Sequence, residues 1–163
     1  MEKELLTSYG YEKLTKELKE CISVERPKII EEVQIAREHG DLKENAEYHS
    51  AKEKQALMDK KIAELNELLT NSQIIDPSAV DHDRVSFGSS VTLLDLDTEV
   101  EENFTIVGTF EADIDKNLIS YNSPLAKAIL GKEEGEEIEA ILPGGEKEYE
   151  VIKIEYKEID FGS

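Results

Sequence analysis

The chain has 163 residues and carries 38 Asp/Glu against 19 Lys/Arg, a net charge of −19. That length suits one or two small domains, and the acid is concentrated in the C-terminal half, which is therefore a poor ligand for a phosphate backbone that rewards lysine and arginine. One cysteine, Cys21, and three scattered histidines exclude a disulfide framework and a zinc cage, and no run of 18 apolar residues is present to span a membrane.

The N-terminus, MEKELLTSYGYEKL, lacks the apolar stretch of a secretory leader, so a cytoplasmic location is expected. From Tyr11 onward apolar residues recur at helical spacing: Tyr11, Leu14, Leu18, Cys21 or Ile22, Ile29, Val33 and Ala36. The phase slips by about one residue between Ile22 and Pro27, where proline removes a backbone donor, so a kink or irregular turn is predicted there. A second pattern runs from residue 44 to 69 in 4-3-4-3 steps through Tyr48, Ala51, Gln55, Met58, Ile62, Leu65 and Leu69. Two long helices joined by a short bend must run antiparallel.

The bend itself, HGDLKEN, is acidic. Its Gly40 suits the left-handed residue that closes a helix. Asp41 and Glu44 have the spacing of a capping box at the start of the second helix, which is the plainer reading. The sharper reading is that two carboxylates at the end of a thin rod serve another molecule. They are too few to cage Mg²⁺, which takes six oxygens, so a partner would have to complete the shell. Arg37, Lys43 and Lys52 add positive charge near the bend, and Tyr48 falls on the seam.

Residues 77–88, bounded by Pro77 and Gly88, break the helical rhythm and are expected as a linker. Strand patterns follow in SSVTLLDL, NFTIVG, NLISYN, EIEAIL and KEYEVIKIEY, the last two flanking a PGG turn. SPLAKAILG between the third and fourth reads as one short helix, with Ser123 as N-cap, Pro124 in the first turn and Gly131 as the stop. The predicted class is α+β. It comprises an N-terminal antiparallel coiled-coil hairpin over 1–76 with its acidic tip at 40–45, the linker, a small and mostly antiparallel β domain with one helix over 89–158, and a tail over 159–163. Charge is uneven. Residues 1–76 carry 12 Lys/Arg and 17 Asp/Glu, whereas 77–163 carry 7 and 21, so a protein partner suits the second half better than nucleic acid.

AREHGDLKENAEYHSAKE strongly resembles the tip of the bacterial transcript cleavage factors of the GreA/GreB family, and VTLLDLD, ADIDKNLISYNSPLAKAILGKEEGE and PGGEKEYEVIKIEY match the same family. The resemblance runs from about Tyr9 to Tyr156. Leu42 and the AEYH after Asn45 resemble the GreA branch. It implies an FKBP-like C-terminal domain that docks on the rim of the secondary channel of bacterial RNA polymerase while the coiled coil enters the channel. It implies that Asp41 and Glu44 help hold the second Mg²⁺ of the polymerase active site, which then cuts the 3′ end of a backtracked transcript. Arg37, Asn45, Tyr48 and Lys52 are implied as supporting contacts at the tip near the nascent RNA. Asn122, Ser123, Pro124 and Leu125 lie where the family contacts polymerase. On this reading the chain is a monomeric stimulator of another enzyme, with no metal bound alone and no membrane partner. Two rivals stand beside it: a channel-blocking regulator of the same fold that does not promote cleavage, and a coiled-coil chaperone or adaptor carrying a prolyl-isomerase-like domain.

Overall fold

The computed structural model describes residues 3–40 and 44–162. The elements in chain order are β1 (Glu4–Leu6), α1 (Ser8–Glu20), a π-helical turn (Cys21–Glu25), α2 (Arg26–Glu38), α3 (Ala46–Thr70), β2 (Ser72–Ile74), β3 (Ser90–Asp95), β4 (Glu101–Val107), β5 (Leu118–Ser120), α4 (Pro124–Ile129), β6 (Glu137–Leu142) and β7 (Gly145–Glu155). They fall into two compact units, one of residues 11–72 and one of residues 3–10 with 73–162.

The first unit is an antiparallel helical hairpin. Its cross-helix ion pairs descend in register: Glu17 with Lys61, Arg26 with Asp59, Glu32 with Lys54, and His39 with Glu47. These pairs are solvent-exposed and each contributes little, about 0–1 kcal/mol. The seam does the packing. Leu14, Cys21, Ile29, Val33 and Ala36 are buried from one side, Ala51 and Leu65 from the other, with Met58 and Ile62 half-buried.

The predicted phase slip has a specific cause. Arg26 donates its backbone N–H to Cys21, five residues back, so the turn holds one extra residue. That extra residue explains why Cys21 and Ile29, eight apart, both face the seam while Ile22 is exposed. It also accommodates Pro27, whose ring would press on the carbonyl four residues earlier in a regular helix.

The second unit is built on a five-stranded sheet of order β5-β4-β3-β7-β6. Neighbours are antiparallel except β4 and β5, which are parallel. β6 and β7 form the hairpin predicted around Pro143–Gly144, with Leu142 opposite Gly145. Helix α4 lies on the sheet, and Ala126 and Ile129 join Val91, Leu93, Ile106, Ile138, Tyr149 and Val151 in the core. Ser123 caps α4 by accepting from the Ala126 N–H at 3.3 Å.

Three sequence expectations change here. Residues 77–88, read as a linker, contain Val85 and Phe87, both buried, and Val85 belongs to the sheet's core. Residues 3–10 pack with the second unit rather than with the hairpin that follows them. β1 pairs with β2 in a two-stranded sheet, and Ile75 donates to the Leu6 carbonyl at 2.8 Å. Residues expected as a tail also contribute, since Phe161 stacks on Tyr9 at 4.4 Å between ring centroids.

Candidate functional site

Helix α2 ends at Glu38, and Gly40 follows with φ of +125°, a backbone conformation that glycine adopts without penalty. Asp41, Leu42 and Lys43 lie outside the described residues. Helix α3 starts at Ala46, and its N-cap is Asn45, not Asp41. The Asn45 Oδ1 accepts from the Tyr48 N–H at 3.0 Å, which satisfies one of the free donors of the first turn. Glu44 therefore sits outside the helix, one residue ahead of the cap, and cannot occupy the third helical position that a capping box needs. This corrects the expected Asp41–Glu44 box: the ranked cap residue immediately before the helix wins. Glu44 is exposed, and among the described residues its carboxylate has no hydrogen bond or ion pair.

Asn45 makes a second bond. Its Nδ2 donates to the Ala36 carbonyl at 2.6 Å, across the bend and nine residues back. Ala36 O also receives the His39 N–H at 3.2 Å. The amide orientation is fixed by its neighbours, because a backbone N–H needs the oxygen and a carbonyl needs the nitrogen.

Around this joint the hairpin collects the other predicted tip residues. The Arg37 guanidinium stands 5.9 Å from the centre of the half-buried Tyr48 ring, within range of a cation–π attraction. Tyr48 also meets the His49 ring edge-on at 5.7 Å. Lys52 is exposed and its Nζ lies 3.4 Å from Gln55 Oε1. Arg37, Glu44, Asn45, Tyr48 and Lys52 thus share one end of one unit.

Asn122, Ser123, Pro124 and Leu125 belong to the other unit. Asn122 and Pro124 are exposed. Asn122 Nδ2 reaches Thr109 Oγ1 at 3.3 Å. The Ser123 hydroxyl is engaged by the cap, and Leu125 packs partly against the core.

One residue escaped the sequence reading altogether. Glu111 is only 4% exposed. Its carboxylate accepts from the Thr7 N–H and hydroxyl, the Gly10 N–H at 2.9 Å and the Gly108 N–H at 2.9 Å. The available signal was weak: two glycines near an acid, a hundred residues apart.

A helical hairpin with a polar, acidic bend, together with a sheet unit that carries most of the negative charge, defines a two-part α+β protein. Among the described residues no helix is long and apolar enough to cross a membrane. Comparison with known sequences gives the class its identity. The family model "Transcription elongation factor, N-terminal" matches residues 4–74, and "Transcription elongation factor, GreA/GreB, C-term" matches residues 80–156. The chain belongs to the GreA/GreB family of transcription elongation factors. It is 53% identical to transcription elongation factor GreA of Wolinella succinogenes over 161 residues, covering 99% of each chain. The same-named proteins of Helicobacter hepaticus and Nautilia profundicola are 54% and 55% identical over 161 residues, again covering 99% of each chain. Among solved structures, Thermus aquaticus Gfh1 is 28% identical, with 94% of this chain and 99% of that chain covered and a TM-score of 0.43.

Proposed function

We propose that this elongation factor enters the secondary channel of bacterial RNA polymerase and stimulates the polymerase's own cleavage of the 3′ end of a backtracked transcript. The observation that carries this reading is the division of labour at the bend. Asn45 caps α3, so the neighbouring Glu44 is left exposed and uncommitted at the end of a hairpin. Glu44 and Asp41 are the residues that would hold metal from this side.

Carboxylate oxygens suit Mg²⁺, and a protein commonly gives it one or two of them. On this reading the remaining ligands of the metal belong to the polymerase. A metal bound there supplies electrostatic stabilisation to the reacting phosphodiester. The other tip residues act on the RNA and on the tip itself. Arg37 and Lys52 offer cationic groups to the transcript, which would otherwise be repelled by Glu38, Glu44 and Glu47. Tyr48 gives Arg37 a ring to rest on and keeps it at the tip. Asn122 through Leu125 form the docking patch on the sheet unit: Asn122 offers polar groups, Pro124 an exposed apolar surface, and Ser123 and Leu125 hold the turn in place. The chain is a stimulator of the polymerase and not a stand-alone catalyst.

The test is transcript cleavage by stalled elongation complexes with cognate polymerase. Glu44→Gln keeps the shape and removes the charge. Because Glu44 does not close a capping box, this change leaves helix content and polymerase binding unchanged. Cleavage falls by about 10²–10³, the range for losing one charged stabilising group in a water-poor site. Asp41→Asn gives a loss of the same order. Wild-type cleavage by Glu44→Gln, with normal occupancy of the channel, would remove the carboxylate from the mechanism and favour a regulator that occupies the channel without promoting cleavage.

A further inference from the structure

We infer that Asn45 is a positioning residue for Glu44, through a bridge that no other cap residue can make. The inference deepens the proposed role of the tip and rests on it. Ordinary N-capping uses one acceptor, and asparagine, aspartate and serine perform it about equally. Asn45 uses both ends of its amide. Oδ1 accepts from Tyr48 N at 3.0 Å in the first turn of α3, while Nδ2 donates to Ala36 O at 2.6 Å in the last turn of α2. Ala36 and Ala51 are buried beside this joint, so small residues let the two helices approach there, and the Asn45 amide bridges them alongside the exposed His39–Glu47 pair and the Arg37–Tyr48 contact. Asn45 has an extended backbone, φ −86° and ψ 96°. A residue pinned at both ends of its side chain has little freedom in that backbone, and Glu44 is its direct neighbour. The bridge therefore sets the direction in which the Glu44 side chain leaves the hairpin.

The bridge predicts an order that capping alone does not. Asn45→Asp keeps the acceptor for Tyr48 N, but turns its second oxygen toward the Ala36 carbonyl, acceptor against acceptor. Asn45→Ser also keeps an acceptor, adds no charge, and is too short to reach Ala36 O. Both are good caps, yet both break the bridge.

The experiment uses the full chain with cognate polymerase on backtracked complexes. It measures the cleavage rate at saturating factor, the factor concentration giving half the maximal rate, and helix content by circular dichroism. The expected result is a fall of roughly tenfold or more in saturating rate for both Asn45→Asp and Asn45→Ser, on the scale set by ångström misplacement of a reacting group. Half-saturation and helix content stay at wild-type values. Asn45→Gln, which keeps both amide functions on a longer arm, recovers part of the rate. Wild-type saturating rates for both Asp and Ser overturn the inference, because a cap would then be all that Asn45 provides. Loss of helix content in step with rate overturns it as well, because the effect would be structural. Glu44→Gln is run alongside. If it cleaves normally, the tip reading itself fails, which is distinct from Glu44→Gln collapsing while the two Asn45 variants remain active.

Discussion

Glu111 gives the residue scale its clearest case. Burying a carboxylate is costly unless its oxygens are matched, and here they face backbone N–H groups of Thr7, Gly10 and Gly108 together with the Thr7 hydroxyl. The approach is close enough that a Cβ at Gly10 would lie 2.5 Å from Glu111 Oε2, and one at Gly108 2.5 Å from Oε1. Glycine at both positions is thus a condition of the clamp. Glu111→Gln places an amide N–H₂ against donors, and losing a buried acceptor in this way costs about 1–3 kcal/mol. For a chain of this length that corresponds to a fall of roughly 2–12 °C in melting temperature. Gly10→Ala displaces the carboxylate and lowers the melting temperature too. If Glu111→Gln melts with wild type in a calorimeter, the clamp contributes nothing. None of this was legible in the sequence, because a long-range contact between residues 7 and 111 leaves no periodicity behind. The tip shows the opposite limit. There the Asp41-x-x-Glu44 spacing reads as a capping box, and only the helix start at Ala46 shows that Asn45 is the cap instead.

At the scale of elements, period and turn chemistry carried most of the information. The seam of α3, the strands of the main sheet and the Ser123–Pro124 start of α4 all follow from rules in which neighbours in sequence are neighbours in space. β1 and β2 escaped because each three-residue strand directly borders a helical pattern, β1 just ahead of α1 and β2 just after α3, and reads as part of it. The disturbance near Pro27 was visible as a phase slip, yet its form was not. A one-residue π turn and a proline that needs it are a matched pair, and that pairing is testable. Ser23 is exposed and lies within the turn. Deleting it brings Cys21 and Ile29 to a heptad spacing of seven, which a regular helix supports. It also forces Pro27 into an ordinary helix interior, at about 3 kcal/mol. The deletion alone should therefore melt well below wild type. The same deletion combined with Pro27→Ala should recover most of that loss. Deleting the exposed Glu53 from α3, which has no irregular turn to absorb it, should disrupt the hairpin whatever stands at 27, because every seam residue on one side is rotated by about 100°. A double variant no more stable than the single deletion would show that the turn does not exist to accommodate proline.

The molecule as a whole is governed by its charge of −19, and the excess is visible in particular side chains. Glu139 on β6 has its carboxyl held above the ordinary range, first by a hydrogen bond and the charge of Glu146 and last by the charge of Glu148. Glu148 stands directly opposite it and Glu146 diagonally on the β6–β7 hairpin. Asp95 moves the other way. The Asp97 N–H at 2.9 Å leads in holding its carboxyl below the ordinary range, with the Thr98 N–H and Lys147 assisting. The two shifts have opposite signs in stability. Glu139 binds its proton more tightly in the folded chain, so it opposes folding when ionised, and that opposition fades as pH falls toward the ordinary glutamate value. Asp95 binds its proton less tightly in the folded chain, so its support is complete above the ordinary aspartate value and is lost only as pH falls through its lower folded value. Acidification should therefore relieve repulsion before it removes support. The melting temperature should rise from about pH 7 to about pH 5, where carboxylates begin to take up protons, and fall at lower pH. Salt should raise the melting temperature at pH 7, because at about 0.1 M the screening length is already near 10 Å and exposed like charges stop repelling one another. The gain from salt should be smaller at pH 5, where the repulsion has already eased. Glu139→Gln should stabilise the chain at neutral pH and flatten the rise on acidification, whereas Asp95→Asn should destabilise it at neutral pH and flatten the later fall. A melting temperature that declines steadily from neutral pH downward, with no response to salt, would mean that repulsion among the carboxylates does not limit the stability of this fold.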